Sequence, residues 1–396
     1  MKNYIWILVF IFLSGCKSQI KQEKEEEKLL TFEVDLQQLS EKGFDDFYEL
    51  EEVIKLETTD RSILGDIKKI LAGKDRLFIS SWNHPGILVF NRDGKYLYQI
   101  NKQGKGPGEY LEITDVLLTE DPEELIVYDR SGRFLHYDWE GNFLREGKMD
   151  SYISHVERLL LSTIRLFLVM DGGWLTDHAL AHTSSFRDSL YILRASDSSG
   201  QYIQGTVALP VTKYILPLRM VSNLYQNEGR YYGIPVIENT IYEYNYRDAE
   251  FSPRYIYQLR DYPVPDASKL SPAEMMKPFI YDYYIFNSEY IGENTILLIA
   301  WRGGVKENSM LTLVTDKKSK KTEVFQAIVE DKKNELPLHR YLQHTGFKGK
   351  VVAYTHPLEL QQRTFSDAHS VGARLSEELN EESNPVLLIY KEKESF

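Results

Sequence analysis

The amino-acid sequence predicts an all-β chain that folds as a six-bladed β-propeller, and three observations support this fold class. A strand-turn-strand pattern recurs along the 396 residues: the step from Leu77 to Leu125 is 48 positions and that from Gly94 to Gly141 is 47. Within each copy apolar and polar residues alternate with a period of two, as in half-buried strands. Helix-start patterns are almost absent. Repeats of about 40–50 residues, each holding four strands, are typical of propeller blades.

Two copies of the repeat define it most clearly. They are Arg76–Ile100 and Glu124–Gly147, and each reads as a short apolar strand, a turn, a second strand, a polar turn with glycine and a third strand. Gly94 and Gly141 stand in the polar turns, where a tight hairpin needs a positive φ. We therefore expect successive antiparallel strands in both segments.

Weaker copies follow along the chain. They are Leu166–Met170 with Leu190–Gly205, Arg230–Val236 with Ile241–Tyr246, Ile296–Trp301 with Met310–Phe325, and Lys350–Pro357 with Val386–Lys393. This number of copies favours six blades over seven. The last strand is expected to share a blade with a strand near Glu52–Thr59, because a closed ring protects its strand edges. A capping-box pattern at Ser271–Glu274 predicts one helix that decorates a loop.

The first sixteen residues predict an export signal with a lipid-attachment cysteine. Tyr4–Leu13 is an apolar run after a single positive charge, and it is shorter than the roughly 20 residues of a transmembrane helix. Leu13–Cys16 resembles a bacterial lipobox, in which cleavage precedes the cysteine and the sulfur carries a diacylglycerol. An ordinary signal peptide with an incidental cysteine is the alternative. We expect residues 1–15 to be a lipoprotein signal peptide and Cys16 to be lipidated.

The rest of the chain divides into a tether and one domain. Residues 16–28 are rich in Glu and Lys and lack aromatic residues, which predicts a disordered tether, and residues 29–396 form the propeller. The formal net charge of −12 argues against nucleic acid, whose phosphates would be repelled. Because Cys16 is the only cysteine, no disulfide is expected. The predicted location is the bacterial cell envelope, with the domain lipid-anchored in the periplasm or at the cell surface.

One motif resembles the signature of a known family. Asn101–Tyr110 reads NKQGKGPGEY and resembles the G-x-G-P-G-E-[YF] signature of bacterial six-bladed β-propeller lipoproteins, which are largely catalogued as domains of unknown function. Leu56–Thr59 with Ile63–Gly65, and Asn384–Lys391, resemble the same family. The resemblance implies an NHL-like six-bladed fold and an envelope location, without an established activity. The residue types themselves predict a tight turn between blades, since Pro107 fixes φ and the glycines reach conformations closed to other residues.

Propeller geometry predicts which side chains share one surface. Loops between the second and third strands of each blade open on the same side as the connections between blades, and we call this side the loop face. Trp and Arg are frequent at binding hot spots, and loops carry function more often than the scaffold does. The alternative is that these side chains only close loops. The ligand-binding candidates are Trp82, His84, Arg130, Trp174, His178, Trp301, Arg302 and His356.

Chemistry on the loop face is less clearly indicated. Asp177, His178 and His182 have a spacing that suits metal ligation, but the sequence holds no HExxH motif and no cofactor is expected. Asp129 and Glu109 are candidates for an acid–base pair. P-loop and nucleophile-elbow motifs are absent.

These observations leave three functions open. The favoured one is a binding module that holds a glycan, a peptide or an envelope protein on the loop face. The second is a propeller enzyme, a metal-assisted lyase or a glycoside or peptide hydrolase, which uses the histidines of that face. The third is a structural role in an envelope complex. A convergent cluster of side chains would favour the enzyme.

Overall fold

The computed structural model describes a chain that is almost entirely β. The residues described are 29–148, 155–161, 164–170, 189–196, 202–210, 223–227, 229–234, 239–245, 250–262, 284–302, 310–327, 329–338, 340–341 and 343–394. Within them lie two short helices, α1 (Pro357–Gln361) and α2 (Val371–Glu378), and a 3-10 turn at Phe44–Asp46. The helix predicted at Ser271–Glu274 falls outside the described residues.

The strands are numbered in chain order. The first fourteen are β1 (Leu30–Val34), β2 (Tyr48–Lys55), β3 (Ile67–Ala72), β4 (Arg76–Ser81), β5 (Ile87–Asn91), β6 (Tyr96–Ile100), β7 (Ile113–Glu120), β8 (Glu123–Asp129), β9 (Arg133–Asp138), β10 (Phe143–Lys148), β11 (His155–Leu161), β12 (Ile164–Met170), β13 (Ser189–Ser196) and β14 (Tyr202–Pro210). The others are β15 (Asn223–Asn227), β16 (Arg230–Ile234), β17 (Thr240–Asn245), β18 (Glu250–Leu259), β19 (Tyr284–Ile291), β20 (Thr295–Arg302), β21 (Met310–Asp316), β22 (Thr322–Gln326), β23 (Val329–Asp331), β24 (Leu336–Leu338), β25 (Arg340–Tyr341), β26 (Gln343–Thr345), β27 (Lys350–Thr355) and β28 (Val386–Glu392).

These strands form a propeller-like series of sheets. Six sheets have four or five strands, in the orders β26-β3-β4-β5-β6, β10-β9-β8-β7, β11-β12-β13-β14, β1-β18-β17-β16-β15, β19-β20-β21-β22 and β2-β28-β27-β25; β23 and β24 form a separate two-stranded ribbon. We number the six sheets 1 to 6 in that order. Inside each sheet, strands that follow one another in sequence pair antiparallel, as the period-two pattern predicts.

The two clearest sequence repeats are the cores of sheets 1 and 2. Arg76–Ile100 forms β4 to β6, and Glu124–Gly147 lies within β8 to β10. Gly94 has a φ of 87° and Gly141 a φ of 88°, so both glycines occupy the hairpin position that they were predicted to hold. The strands predicted in the four weaker copies are likewise present in sheets 3 to 6.

Where side-chain burial is described, neighbouring sheets bury their apolar faces against each other: sheets 6 and 1, sheets 1 and 2, and sheets 4, 5 and 6. Between sheets 1 and 2, for example, Phe78 and Val89 pack with Val127, Leu135 and the indole of Trp139, all of them buried. A single four-stranded sheet cannot bury both of its faces, and stacking in series solves this for every sheet except at the two ends of the series. The ends must therefore be brought together.

The last sheet contains strands from both ends of the domain. The N-terminal strand β2 pairs antiparallel with the C-terminal strand β28, with Val53 opposite Leu388. The prediction that the final strand pairs with a strand near Glu52–Thr59 is thus confirmed. β26 adds a second link, which the sequence did not indicate: it pairs parallel with β3 and so joins the segment before β27 to sheet 1.

Asn384 connects the two ends by side-chain hydrogen bonds. Its Nδ2 donates to the carbonyls of Glu57 (2.9 Å) and Ser62 (2.7 Å), and its Oδ1 accepts from the amide of Leu64 (2.7 Å). The side chain is buried, so each of these bonds replaces contact with water. The contact joins three of the segments that carry the family resemblance, Leu56–Thr59, Ile63–Gly65 and Asn384–Lys391.

An N-terminal segment that the sequence did not indicate as a strand crosses the outer edges of sheets 4 and 5. β1 pairs parallel with β18, with Val34 opposite Leu259, and Leu39 then bridges Val324 of β22. Ion pairs between Arg260 and Asp35 (2.8 Å) and between Lys42 and Glu323 (3.1 Å) accompany it. The segment continues into β2, so the same stretch covers two edges and completes a third sheet.

Sheet 2 holds a buried carboxylate at the start of β8. Glu124 accepts two hydrogen bonds from Arg145 (2.7 and 2.9 Å) and lies 2.9 Å from Nδ1 of His136. Burial alone raises the pKa of Glu124, but the hydrogen bonds from Arg145 and His136 outweigh it and lower that pKa to about 2. The three side chains come from three adjacent strands and hold them in register.

Replacing Asn384 by Ala is expected to lower the free energy of unfolding by about 2–4 kcal/mol, because it leaves buried backbone groups without partners. Urea unfolding followed by circular dichroism measures the change. Asn380→Ala is the matched control, since Asn380 is exposed, and we expect it to change stability by less than about 1 kcal/mol. Equal effects of the two variants would contradict the role given to Asn384.

Replacing Glu124 by Gln is expected to lower stability at pH 7 by about 3 kcal/mol. The pKa of Glu124 is about 2 in the fold and 4.5 as an ordinary carboxyl. Its contribution is therefore fully present above pH 4.5 and is lost as the pH falls through about 2. The difference between the two proteins should shrink over that window in urea titrations. Glu123→Gln, at an exposed position, should show no such pH dependence.

Candidate functional site

The loop face of sheets 1 and 2 is shaped by two β-bulges. The pairing of β3 with β4 shifts between Ile67 and Lys69, and that of β7 with β8 shifts between Ile113 and Asp115. A bulge re-aims the extra residue, and bulges are frequent next to functional sites. Here the extra residue of β3 is Lys68, whose Nζ donates to the carbonyl of Thr114 (2.6 Å) in the second bulge.

Beside this bulge lies a buried ion pair between the two sheets. Lys69 Nζ is 3.2 Å from Asp115 Oδ1, and both side chains are almost fully buried. Burial lowers the pKa of the neighbouring Lys68, while the charge of Asp115 opposes that effect. Sequence analysis missed all three residues, although two lysines inside an apolar strand were a visible indication.

Trp82 is the most exposed large apolar side chain of the described residues, and it follows β4 on the loop face. We call the part of the loop face around Trp82 the rim. Its exposed fraction is 66%, and Lys68 Nζ lies 4.9 Å from the centroid of its ring. Lys68 is held in turn by the carbonyls of Ile113 (3.3 Å) and Thr114. The indole thus rests on a fixed cation and leaves most of its surface to solvent, an arrangement that cation–π attraction stabilises.

Asp66 joins Trp82 to the last sheet. Its carbonyl accepts from the amide of Trp82 (3.1 Å), and its carboxylate lies 3.3 Å from Nε2 of His356. Tyr354, which is buried, donates to the same carboxylate oxygen (3.5 Å). Asp66 therefore connects Trp82 and His356, two of the predicted candidates, through its backbone and its carboxylate, although 274 positions separate them in the sequence.

Arg130 lies on the next loop of the same face. Its amide donates to the carbonyl of Glu112 (3.0 Å), and its guanidinium lies 3.3 Å from the Glu112 carboxylate. Both side chains are largely exposed. Glu112 directly precedes the bulged segment whose carbonyls hold Lys68, so Arg130 continues the rim from Trp82 into sheet 2.

Two further predicted candidates, Trp301 and Arg302, lie at the end of β20 in sheet 5, and Arg302 belongs to a second aromatic group. Trp301 is 42% exposed at the end of β20. The guanidinium of Arg302 lies 5.1 Å from the centroid of the Tyr262 ring, and Tyr262 packs edge-on against Tyr284 with a centroid distance of 5.1 Å. Burial raises the pKa of Tyr284. This group repeats the pairing of a cation with an aromatic ring.

The GKGPGEY segment is the tight connection between sheets 1 and 2 that its composition predicts. Glu109 accepts from the amide of Gly106 (2.7 Å), and Gly108 has a φ of 71°. Tyr110 is buried and accepts from the amide of Lys102 (3.1 Å). Arg133 of sheet 2 donates to the carbonyl of Glu109 (2.8 Å). The motif is thus scaffold for the rim.

The suggested acid–base pair of Asp129 and Glu109 is wrong. Asp129 is fully buried and accepts hydrogen bonds from the amides of Leu111, Ser131 and Arg133 as well as from the Arg133 guanidinium. Burial tends to raise the pKa of Asp129, but these hydrogen bonds lower it below its usual value. Because both of its oxygens accept hydrogen bonds within the fold, the Asp129 carboxylate stabilises its own turn and is not available to exchange protons with a ligand.

The remaining candidates divide into one placed residue and several outside the described part of the chain. His84 closes its own turn, since its Nδ1 accepts from the amide of Gly86 (3.0 Å). Trp174, Asp177, His178 and His182 lie outside the described residues. Among the residues that the structure does describe, no group of three His, Cys, Asp or Glu side chains is placed to hold a metal ion. The same part of the chain contains no helix long and apolar enough to cross a membrane.

Comparisons with known proteins agree with this fold. The sequence pattern of a domain of unknown function, DUF4934, matches residues 28–391. No curated protein matches the chain. A protein of Bacteroides fragilis NCTC 9343 whose name proposes that it is exported is similar in structure, with a TM-score of 0.67 and 18% identity, over 93% of this chain and 100% of that one. A DUF4221 member from Bacteroides vulgatus ATCC 8482 has a TM-score of 0.50 and 10% identity, over 87% and 98%. At these identities the likeness concerns the fold alone.

Proposed function

Because the chain belongs to the DUF4934 family, whose description names no activity, we propose its function from the loop face: it is an exported, lipid-anchored six-bladed propeller that binds a glycan at the rim around Trp82. The observation that carries the proposal is the exposed indole of Trp82, which contacts Lys68 and whose backbone amide binds Asp66, the residue that also contacts His356.

The sheets and the contacts between them support the proposal of six blades. Strands of neighbouring sheets touch one another: β3 contacts β7, β7 contacts β11, β11 contacts β15, β15 contacts β19, and β19 contacts β27. β26 returns the series to β3. Each of the six sheets is therefore one blade of the proposed ring, and the pairing of β2 with β28 completes the sixth blade.

The extracytoplasmic location rests on the N-terminal sequence and on one structural relative. Tyr4–Leu13 and the lipobox-like Leu13–Cys16 are the elements of a lipoprotein export signal. The Bacteroides fragilis protein, similar over the whole of its length, carries a name that proposes export. Several acyl chains on one cysteine hold a protein stably at a membrane, which a single chain does not.

A glycan suits the chemistry of the rim better than a peptide does. A sugar ring presents C–H groups on its faces and hydroxyls at its edges, so it needs a flat apolar surface with donors and acceptors beside it. Trp82 supplies that surface, while the Asp66 carboxylate accepts and the His356 ring donates or accepts. Trp82 follows strand β4 and lies on the loop face, whereas an extended peptide would bind along a free strand edge.

The edges that a peptide would need are partly occupied. The outer strands of sheets 4 and 5 are covered by β1 and by the segment around Leu39. Strand β2 serves as the outer strand of sheet 6 and is followed by the loop that Asn384 fastens. In the described part of the chain, these strand edges are therefore less available to a ligand than the loops are.

Replacing Trp82 by Ala is expected to weaken glycan binding about tenfold or more, because the stacking surface is lost. A glycan array with the unlipidated protein identifies the ligand, and calorimetry measures the affinity. Trp82→Phe keeps a flat ring and should stay within about threefold of the natural protein. Leu97→Ala is the control, at a side chain that is 45% exposed in the middle of β6.

Retention of the glycan by the Trp82→Ala protein at unchanged affinity would contradict the proposed rim. If the protein captured peptides instead of glycans, the proposed ligand class would be wrong. If only Trp301→Ala abolished binding, the binding site would lie at sheet 5 and not at Trp82.

Replacing Cys16 by Ala is expected to release the protein from the membrane fraction into the soluble fraction, because no other residue takes up the lipid. Fractionation of cells and metabolic labelling with a radioactive fatty acid measure both effects. Ser18→Ala is the control and should remain labelled and membrane-bound. A Cys16→Ala protein that stays in the membrane without label would overturn the lipid anchor.

A further inference from the structure

The end of the sheets opposite the loop face carries an unusual concentration of lysine. On this side, which we call the hairpin face, short turns join the first strand of each sheet to the second and the third to the fourth. The turn between β21 and β22 reads Lys317-Lys318-Ser319-Lys320-Lys321. Lys318, Lys320 and Lys321 are exposed, while Lys317 donates to the carbonyl of Gly292 and lies 4.9 Å from the ring centroid of Tyr255.

The backbone of this turn is built to present those charges. Asp316 accepts from the amides of Lys318 (2.8 Å) and Ser319 (3.3 Å), which fixes the start of the turn. Lys320 has a φ of 60°, in the left-handed region where glycine is favoured. A lysine at this position destabilises the turn relative to glycine, so its presence points to a use for the charge.

Neighbouring turns extend the basic surface around the same face. Arg92 lies over the ring of Phe347 (4.8 Å) and reaches the carbonyl of Gly73, which places the turns of sheets 6 and 1 side by side. Exposed Lys348 follows Phe347, and exposed Lys74 follows Gly73.

Contacts at the other end of this surface join it to the lysine turn. Gly349 donates to Asn227 of sheet 4 (3.0 Å), and Asn227 donates to the carbonyl of Ile291 of sheet 5 (3.1 Å). Gly292, which follows Ile291, accepts from Lys317. The cations of sheets 5, 6 and 1 thus share one continuous surface, which we call the basic face: Lys74, Arg92, Lys317, Lys318, Lys320, Lys321 and Lys348.

Carboxylates also lie on this side of the sheets. Glu392 accepts hydrogen bonds from the amides of Asn294 (3.1 Å) and Thr295 (2.7 Å) beside Gly292. Asp75 is paired with Arg76 (2.9 Å), and Asp93 and Glu293 are exposed. The whole chain carries a formal net charge of −12, so the basic face stands out against an acidic surface. Such a charge asymmetry orients a protein towards an anionic partner over distances of about a Debye length, roughly 8 Å at physiological salt.

We propose that the basic face rests on the anionic head groups of the membrane to which the chain is anchored, so that the loop face points outward. This inference rests on the proposed lipid anchor. β1 enters along the outer edge of sheet 4 parallel to β18, and its last residue, Val34, lies opposite Leu259, where β18 ends and the chain leaves towards the loop face. The chain therefore enters the domain from the hairpin face.

The length of the tether is compatible with this arrangement. Residues 16–28 span at most roughly 45 Å when fully extended, and they are followed almost at once by β1 beside sheet 5. A short connection on the hairpin side keeps the basic face close to the lipid, while the rim around Trp82 is left free. Clusters of exposed lysines next to a lipid anchor strengthen attachment to anionic membranes.

The test measures vesicle binding without the lipid anchor. Every strand pairing of the described structure lies between residues 30 and 392, so a chain beginning at Lys17 keeps the fold. It is sedimented with two kinds of vesicle. One is pure phosphatidylcholine, and in the other about two lipids in five are phosphatidylglycerol. We expect binding to the anionic vesicles only, reduced about tenfold or more by Lys318→Glu with Lys320→Glu, and abolished at high salt.

Two controls separate charge from folding. Lys102→Glu with Lys105→Glu reverses two exposed lysines in the connection on the loop face and should leave vesicle binding unchanged. Lys320→Gly removes one charge and relieves the positive φ, so it should weaken vesicle binding while raising the unfolding midpoint.

Failure of this proposal is distinguishable from failure of the proposed function. Equal binding to neutral and anionic vesicles, no binding to either, or equal losses in the two charge-reversed proteins would overturn the basic face. The glycan affinity of the same Lys17 chain is measured separately, and its dependence on Trp82 stands or falls without reference to the vesicles.

Discussion

The pairing of β2 with β28 joins residues from the two ends of the domain in one sheet, and the other sheets depend on it. Neighbouring sheets bury their faces against each other, as sheets 1 and 2 and sheets 4 and 5 do, but a series of sheets has two free ends, and each would expose an apolar face and a strand edge. Because sheet 6 takes strands from both ends of the domain, the series cannot close unless both ends are in place. Asn384 then fastens the loop between β2 and β3 to the start of β28.

The same closure builds the candidate site. Asp66 lies at the end of the connection that follows β2, His356 follows β27 of sheet 6, and Trp82 follows β4 of sheet 1. The hydrogen bonds of Asp66 reach both neighbours, so the rim exists only where the first and last sheets meet. Stability of the ring and geometry of the site are therefore coupled through one loop.

The sequence indicates the parts of the fold that have a local period. The alternation in Arg76–Ile100 and Glu124–Gly147, and the glycines of their hairpins, could be read because each depends on residues close in the chain. β1 could not, since its partner β18 lies about 225 positions away and a lone parallel strand has no turn to mark it. For the site, residue type was enough to select Trp82 and His356. Their connection through Asp66 and the bulged Lys68 depends on a register shift that no periodicity reveals.

The two ends of the sheets differ in a way that fits different kinds of recognition. On the loop face the side chains are held one by one: Lys68 by carbonyls, Asp66 by Tyr354, Arg130 by Glu112. Fixed donors and acceptors around a flat ring discriminate between ligands by the positions of their hydroxyls. On the hairpin face the lysines of the Lys317–Lys321 turn have long side chains, and all but Lys317 extend into solvent, which suits a fluid charged surface whose groups have no fixed positions. In the proposed arrangement, the ring presents directional groups on one side and diffuse charge on the other, so the attachment of one side to a membrane leaves the other side accessible to a ligand.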